Sequence, residues 1–485
     1  MNSDHDQPDR AYPAVGPVLF LHGYADGLVQ LAALFVRPET APEPSVTTHQ
    51  GPIEAERLAT IDGMTVLRYS FTLPARADAT YSMHGAALPV HADFTRDLRI
   101  AYVSCNGQES GDRERSTNER NALWQRLARQ HADVPFQVLL NGGDQLYADE
   151  MLDEDPRLHA WRHGESEEPL DEADAAALRA RLRSYLLQRY CELYAQPAPA
   201  WLMARIPILC MWDDHDICDG WGSLPETQLD SPMGRLVFET ARELFLLFQL
   251  AAHPAEPPPI CPDRAGTSLS WRVQLPGVAL IAPDLRSERR PDQIMGPVGR
   301  DVFNEALAAA EDGQVFVLSS VPALGPRLSW VEAAMQQSPR MEKYQDDLRD
   351  QWQSRAHRDE WRVFLEHLLA VHERGGCRLS VLSGEIHLAT RGTMAAPSGP
   401  LHQLVASGIT HPAPPKAYAR ALGILARLGE SPVPGHPIRL HPLPGQKGIY
   451  TAQRNYLVLE RRHGRWGAWW ELEHDGATTA LALDS

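Results

Sequence analysis

The feature that most constrains this chain is how its apolar runs end. Five short runs, apolar enough for strands buried on both faces, stop at clusters of side chains that can hold a metal. Leu98–Ser104 leads into Cys105-Asn106, and Phe136–Leu140 into Asn141-Gly-Gly-Asp144-Gln-Leu-Tyr147-Ala-Asp149. Ile206–Trp212 leads into Asp213-Asp214-His215-Asp216. Val278–Ala282 leads into Asp284-Leu-Arg286-Ser-Glu288-Arg289, and Leu379–Leu382 into Ser383-Gly384-Glu385-Ile-His387. In α/β sheets, sites form where the carboxyl ends of strands meet. Convergence of these five ends would place carboxylates, imidazoles, a thiol and a phenol around one crevice. That donor mix suits Fe, Mn, Zn or Ca.

Between the runs the pattern changes period. Thr117–His131 reads as helical. Asp171–Ala195 reads as a long helix, with Asp171 as N-cap and Leu178, Leu182 and Leu186 on one stripe. Val315–Ser319 and Leu404–Ala406 add further strands. Strands alternating with helices predict an α/β fold with a mostly parallel sheet covered on both faces. Residues 1–96 differ. Pro17–Leu21, Gly27–Val36 and Thr65–Leu73 are strand-like, split by turns, with no helix signal, and read as an N-terminal antiparallel β domain. Residues 97–430 then form the site-bearing domain. Residues 431–485, opened by a Pro/Gly-rich stretch, form a C-terminal β segment packed on it.

The charge excludes some partners. With 46 Lys and Arg against 63 Asp and Glu, the net charge is −17. So acidic a chain is a poor fit for nucleic acid or an anionic membrane, although a local basic site for a small anion stays open. Six scattered cysteines without a CxxC pair point to reduced thiols. The N-terminus has no apolar leader core and no twin Arg, and no run of about 18 apolar residues could span a membrane, so a cytoplasmic protein is expected. The acid-rich stretch 144–175 reads as a solvated loop face.

Hydrolysing a phosphate ester requires neutralising the phosphoryl oxygens and making hydroxide near neutral pH, and two metals about 3.5–4 Å apart do both. A carboxylate at a tight Gly turn can bridge them, and Gly143-Asp144 offers one. Arg286 and Arg289 could clamp a phosphate. Each residue also has an ordinary reading: a buried Cys packs, a turn Asp caps, an Arg pairs with Glu288 or Asp284.

In order, GGDQLYAD (142–149), MWDDHDICDGW (211–221), DLRSER (284–289) and SGEIH (383–387) resemble the motifs of PhoD-like metallophosphatases, the alkaline phosphatase D branch of the calcineurin-like metallophosphoesterases. Cys105 after a strand fits that branch. The resemblance spans about 97–415, and the β domain before it also resembles the family's layout. It implies a two-sheet α/β/β/α metallophosphatase sandwich with an N-terminal antiparallel β domain. It implies metal ligation by Cys105 and Tyr147 (the more oxidising metal, iron), Asp144 (bridging), Asp214, Glu385 and His387. His215 would polarise the phosphate or protonate the leaving oxygen, and Arg286 would contact the phosphate. The implied cofactors are two or more metal ions, iron with calcium, or alternatively manganese or zinc. Two departures stand out: Glu385 where the family writes Asp, and Asp216-Ile-Cys218-Asp219 in place of an Asn-rich tail.

The expected activity is hydrolysis of a small-molecule or polymeric phosphoester, monoester or diester, by a metal-bound hydroxide. Two rivals are carried. One is a non-catalytic metal-binding protein on the same scaffold. The other is an α/β-hydrolase-type esterase, suggested by Leu21-His22-Gly23, which is similar to an oxyanion loop but lacks any GxSxG partner. The oligomeric state is left open.

Overall fold

The computed structural model describes residues 12–165, 170–326 and 350–484. Glu167 and Glu168 of the acidic stretch lie outside them, as do residues 1–11 of the N-terminus read as lacking a leader. The chain opens with β1 (Val15–Ala25), β2 (Leu28–Pro38), β3 (Glu56–Ile61) and β4 (Met64–Pro74), antiparallel neighbours in the order β1-β2-β4-β3. β5 (Leu98–Val103), β6 (Val138–Gly142) and β7 (Ile208–Met211) follow and run parallel side by side. β7 also pairs parallel with β1, so the N-terminal antiparallel strands continue the same sheet.

The second large sheet comprises β8 (Trp271–Leu275), β9 (Val278–Ala282), β10 (Gly313–Ser319), β11 (Cys377–Ser383), β12 (Thr390–Met394), β13 (Leu401–Val405) and β14 (Ile438–His441). Their order is β8-β9-β10-β11-β13-β12-β14, with β9, β10, β11 and β13 parallel. Finally β15 (Asn455–Arg462) and β16 (Arg465–Leu472) return to the first sheet, β15 lying antiparallel on β5.

Alternation along the strands of the second sheet makes this a four-layer sandwich. Val278, Leu280 and Ala282 of β9, with Phe316 and Leu318 of β10, belong to the core shared with the first sheet. Ala279, Ile281, Val315 and Val317 point the other way, into a second core. A one-residue slip in register would exchange the two faces, so both cores enforce it. The sequence pattern expects one helix over 117–131. The structure shows a turn, Thr117–Arg120, then α1 (Ala122–Asp133), with Asn121 between them. Helices α2 (Glu172–Tyr194) and α3 (Pro232–Gln249) pack together against the first sheet. Asp171 caps α2 by accepting from Asp174 N, and Leu178, Leu182 and Leu186 are buried. Helices α4 (Pro297–Ala308) and α5 (Arg358–Glu373) cover the outer face of the second sheet, and α6 (Lys416–Ala426) lies beyond β13. No helix among the described residues is long and apolar enough to cross a membrane.

His22 lies within β1, buried, with Nε2 2.8 Å from the Leu250 carbonyl. Burial drives its pKa down to about 4. An unfolded imidazole titrates near ~6.5, so above that pH neither state binds the proton. Below it the unfolded chain takes up a proton that the folded one refuses, and stability falls until pH reaches about 4. His22→Gln should remove about 3 kcal/mol of that acid-side loss, read from denaturant unfolding at both ends of the window. Identical pH slopes in variant and parent would contradict it.

Candidate metal centre

The parallel strands of both sheets end at one edge, and the turns that follow carry the site. Two glycines allow the close approach. Gly143 has φ +101°, and a Cβ there would sit 2.8 Å from the Asp213 Cβ. At Gly384 a Cβ would sit 2.3 Å from the Ser104 hydroxyl, where the two sheets meet. Four other residues of these turns are left-handed without being glycine: Cys105 (φ 53°), Asp144 (55°), Glu385 (63°) and His387 (51°). Such conformations cost about 1–2 kcal/mol each and concentrate at functional sites.

Two groups of donors share Asp144, and within each the ligand atoms lie within 4.8 Å of one another. The first is Cys105, Asp144 and His387, and the second is Asp144, Asp214 and His215. Asp144 belongs to both. The Tyr147 hydroxyl stands 2.8 Å from His387 Nε2 and 3.5 Å from Asp144 Oδ2, at the edge of the first group. The Cys105 sulfur lies 3.5 Å from the same Oδ2 and 3.2 Å from the Ser407 hydroxyl. Asp144 Oδ1 is buried with no hydrogen-bond partner. A buried carboxylate oxygen lacking a donor is what a cation-binding position requires.

The electrostatics agree. Burial, and then Asp213, hold the Asp144 carboxyl well above the usual range. Burial likewise pushes the Cys105 thiol and the Tyr147 phenol up and the His387 imidazole down. A bound cation reverses the penalty on every acidic donor, so the residues fit a metal pair.

His215 lies at the other side. Burial works against its charged form, but Asp149 and Asp214 override it and hold the pKa well above the ordinary value. Its Nδ1 is 2.7 Å from Asp149 Oδ2, which leaves Nε2 for substrate or metal. Asp149 sits in the acidic stretch read as a solvated face. Its spacing from Asp144 and Tyr147 in one loop was the available signal for a site role. The cluster of Glu109 with Asp149 and His215 is accounted for by this ion pair. His411 stacks on His387, ring centroids 3.7 Å apart, and its Nδ1 is held by the Pro412 carbonyl.

Three expected residues are placed otherwise. Arg286 is fully buried, not poised for a phosphate. Its Nε donates to Asp213 at 2.5 Å, and Nη1 and Nη2 donate to Asp350 at 2.9 and 2.6 Å. Further contacts run to the Trp221 carbonyl at 3.1 Å and to Asp214 at 3.4 Å. A guanidinium so committed braces the Asp214 turn and has no donor left for substrate. Arg289 is buried too, donating to the Asp350 carbonyl at 2.6 Å. Glu385 joins neither donor group. Both its oxygens accept from the Gln351 amide at 2.8 Å, and only its backbone carbonyl approaches the Cys105 sulfur, at 3.9 Å. Neither Asp350 nor Gln351 follows an apolar run, so sequence reading had no handle on them.

Asp216 was the residue whose role sequence reasoning missed most. Its carboxylate accepts from the backbone N–H of Asp144 (2.9 Å), Leu146 (3.0 Å) and Asp213 (2.9 Å), and from the Gln249 amide (2.8 Å). It faces the backbone and clips the Asp144 loop to the Asp214-His215 turn.

Converging strand ends around two donor groups with a shared aspartate define a metallophosphatase-type centre. The comparisons agree with that class. Residues 66–345 match the family described as PhoD related phosphatase, and the chain belongs to that family. The uncharacterized protein YGR266W of Saccharomyces cerevisiae is 23% identical over 406 residues, covering 69% of this chain and 57% of the yeast protein. The chain thus spans little more than half the length of that relative. The solved structure of PhoD superposes with a TM-score of 0.59 at 11% identity, covering 98% of this chain and 90% of that one. A purple acid phosphatase from yellow lupin (Lupinus luteus) seeds gives 0.52 at 10% identity, covering 97% and 74%. At these identities the superpositions establish the fold: a mixed α/β, two-sheet metallophosphatase architecture.

Two substitutions separate bracing from chemistry. Asp216→Ala strands buried N–H donors and should lower unfolding stability by about 3 kcal/mol and reduce metal bound per chain. Unchanged stability would show the clip to be dispensable. Arg286→Met leaves Asp213 and Asp350 uncompensated and should cost about 3–5 kcal/mol. A raised KM at unaltered stability would instead return Arg286 to the substrate.

Proposed function

We propose that this protein is a metal-dependent phosphoester hydrolase. The observation that carries the reading is that Asp144 belongs to two donor groups at once, with an unpartnered buried oxygen. Cys105, Asp144, His387 and Tyr147 would hold one metal, and Asp144, Asp214 and His215 would border the other. A thiolate and a phenolate favour iron at the first position, and carboxylates suit calcium at the second, with manganese or zinc as alternatives. When bound, such a pair neutralises the phosphoryl oxygens and lowers the pKa of a water.

The chain's own residues supply the rest. Asp149 orients His215 through Nδ1, so its Nε2 faces the cavity side where it can donate to a phosphoryl or leaving oxygen. Asp216 and Arg286 fix the two turns so that the donors need not reorganise as charge develops. A cavity of about 390 Å³ opens over the centre, floored by Asp144, Asp214, His215 and His387 and walled by Leu324, Ile386, Leu422 and Tyr450. That volume admits a small phosphoester or the end of a polymeric one, monoester or diester.

Turnover of p-nitrophenyl phosphate and bis-p-nitrophenyl phosphate should be abolished by chelator and restored by metal. Asp144→Asn should abolish both activities and metal binding while leaving stability within about 2 kcal/mol of the parent. Full activity in that variant contradicts the shared-ligand role. Metal binding without turnover on either ester would favour the non-catalytic alternative.

A further inference from the structure

The chain's net charge of −17 is unevenly spread. Between Ile386 and Leu459 it carries seven Lys and Arg against a single acid, Glu430. Helix α6 lies in that segment and commits little to the core: only Ala419 and Ala426 are buried. Its outer side is apolar instead. Ile424 is 66% exposed and Leu428, just past the helix end, 71%, the two highest values among exposed large hydrophobics of the described residues. A single exposed Leu needs no explanation, but a continuous stripe does.

The helical period organises these residues. At about 3.6 residues per turn, Ala417, Ala421, Ile424 and Leu428 form one stripe, and Lys416, Arg420 and Arg427 run along one border of it. Towards the opposite border lie Tyr418 and Leu422, which line the cavity over the metal centre. Around the helix, then, come a basic edge, an apolar strip and the cavity wall. Interfacial helices share this arrangement, with apolar side chains in the headgroup boundary and Lys and Arg on lipid phosphates.

We propose that α6 seats the protein on an anionic lipid surface, with Ile424 and Leu428 inserted, Lys416, Arg420 and Arg427 on the phosphates, and the cavity mouth beside the membrane. Charge selects this occupant over a second copy of the chain. Two such faces pressed together would oppose their cations, whereas lipid phosphates neutralise them. The assignment stands apart from the phosphoesterase reading, since it concerns where the cavity opens rather than what happens in it.

The test is sedimentation of the whole protein with vesicles of phosphatidylcholine alone and of phosphatidylcholine with phosphatidylserine in equal parts. Binding to the serine-lipid vesicles should exceed binding to phosphatidylcholine at least about tenfold and fall with added salt. Ile424→Asp combined with Leu428→Asp should lower vesicle binding at least about tenfold while the unfolding midpoint stays put. Equal binding to both vesicles, or none, overturns the proposal. So does unchanged binding by the double variant. So does conversion of a dimer to a monomer by that variant in analytical ultracentrifugation, which assigns the stripe to a second copy.

Discussion

The Asp216 carboxylate takes three backbone N–H bonds and one side-chain amide bond, and the placing of the Asp144 loop against the Asp214-His215 turn depends on that clip. It joins the loop after β6, the turn after β7 and, through Gln249, the end of α3. Burial raises its pKa to about 7, and the donors around it offset part of that effect. With these bonds made, Asp144 stands in the left-handed conformation that aims its carboxylate at both donor groups.

The same crevice concentrates charge. Asp144, Asp213, Asp214 and Asp350 are buried close together, and Arg286 is the counter-ion that reaches three of them. Burial would raise the Asp350 carboxyl, yet Arg286 and Arg289 hold it well below the usual carboxylate range. Asp144 has no such partner and stays pushed up. Asp350 is held ionised by two guanidiniums, while Asp144 faces no guanidinium among the described residues and is left open to a metal. The surrounding sheets hold four left-handed side-chain-bearing residues in place, which a loop scaffold would release.

Much of this architecture is legible in the sequence because it rests on local patterns. The unbroken apolar run Val278–Ala282 serves both cores of the second sheet. Asp171 three residues before Asp174 announces the cap of α2. Strand ends rich in donors point to the edge where Cys105, Asp144, Asp214, His215 and His387 gather. What failed to show depends on contacts distant in sequence. Arg286 resembles a phosphate clamp until Asp350, 64 residues away, is seen to hold it. The Glu385 carboxylate turns to Gln351, 34 residues away in the chain. Asp149 hides among acids whose composition reads as a solvated face, and its 2.7 Å contact with His215 and the N–H it accepts from Asp219 set it apart. The union of the N-terminal strands with the parallel sheet depends on the pairing of Phe20 with Ile208, which no local pattern reveals.

The central claim is that one aspartate is shared by two metal positions. Anomalous X-ray diffraction from crystals of the metal-reconstituted protein tests it most directly. The account predicts two peaks flanking the Asp144 carboxylate, about 3.5–4 Å apart, one toward Cys105 and His387 and the other toward Asp214 and His215. A single peak, or peaks away from Asp144, would contradict it.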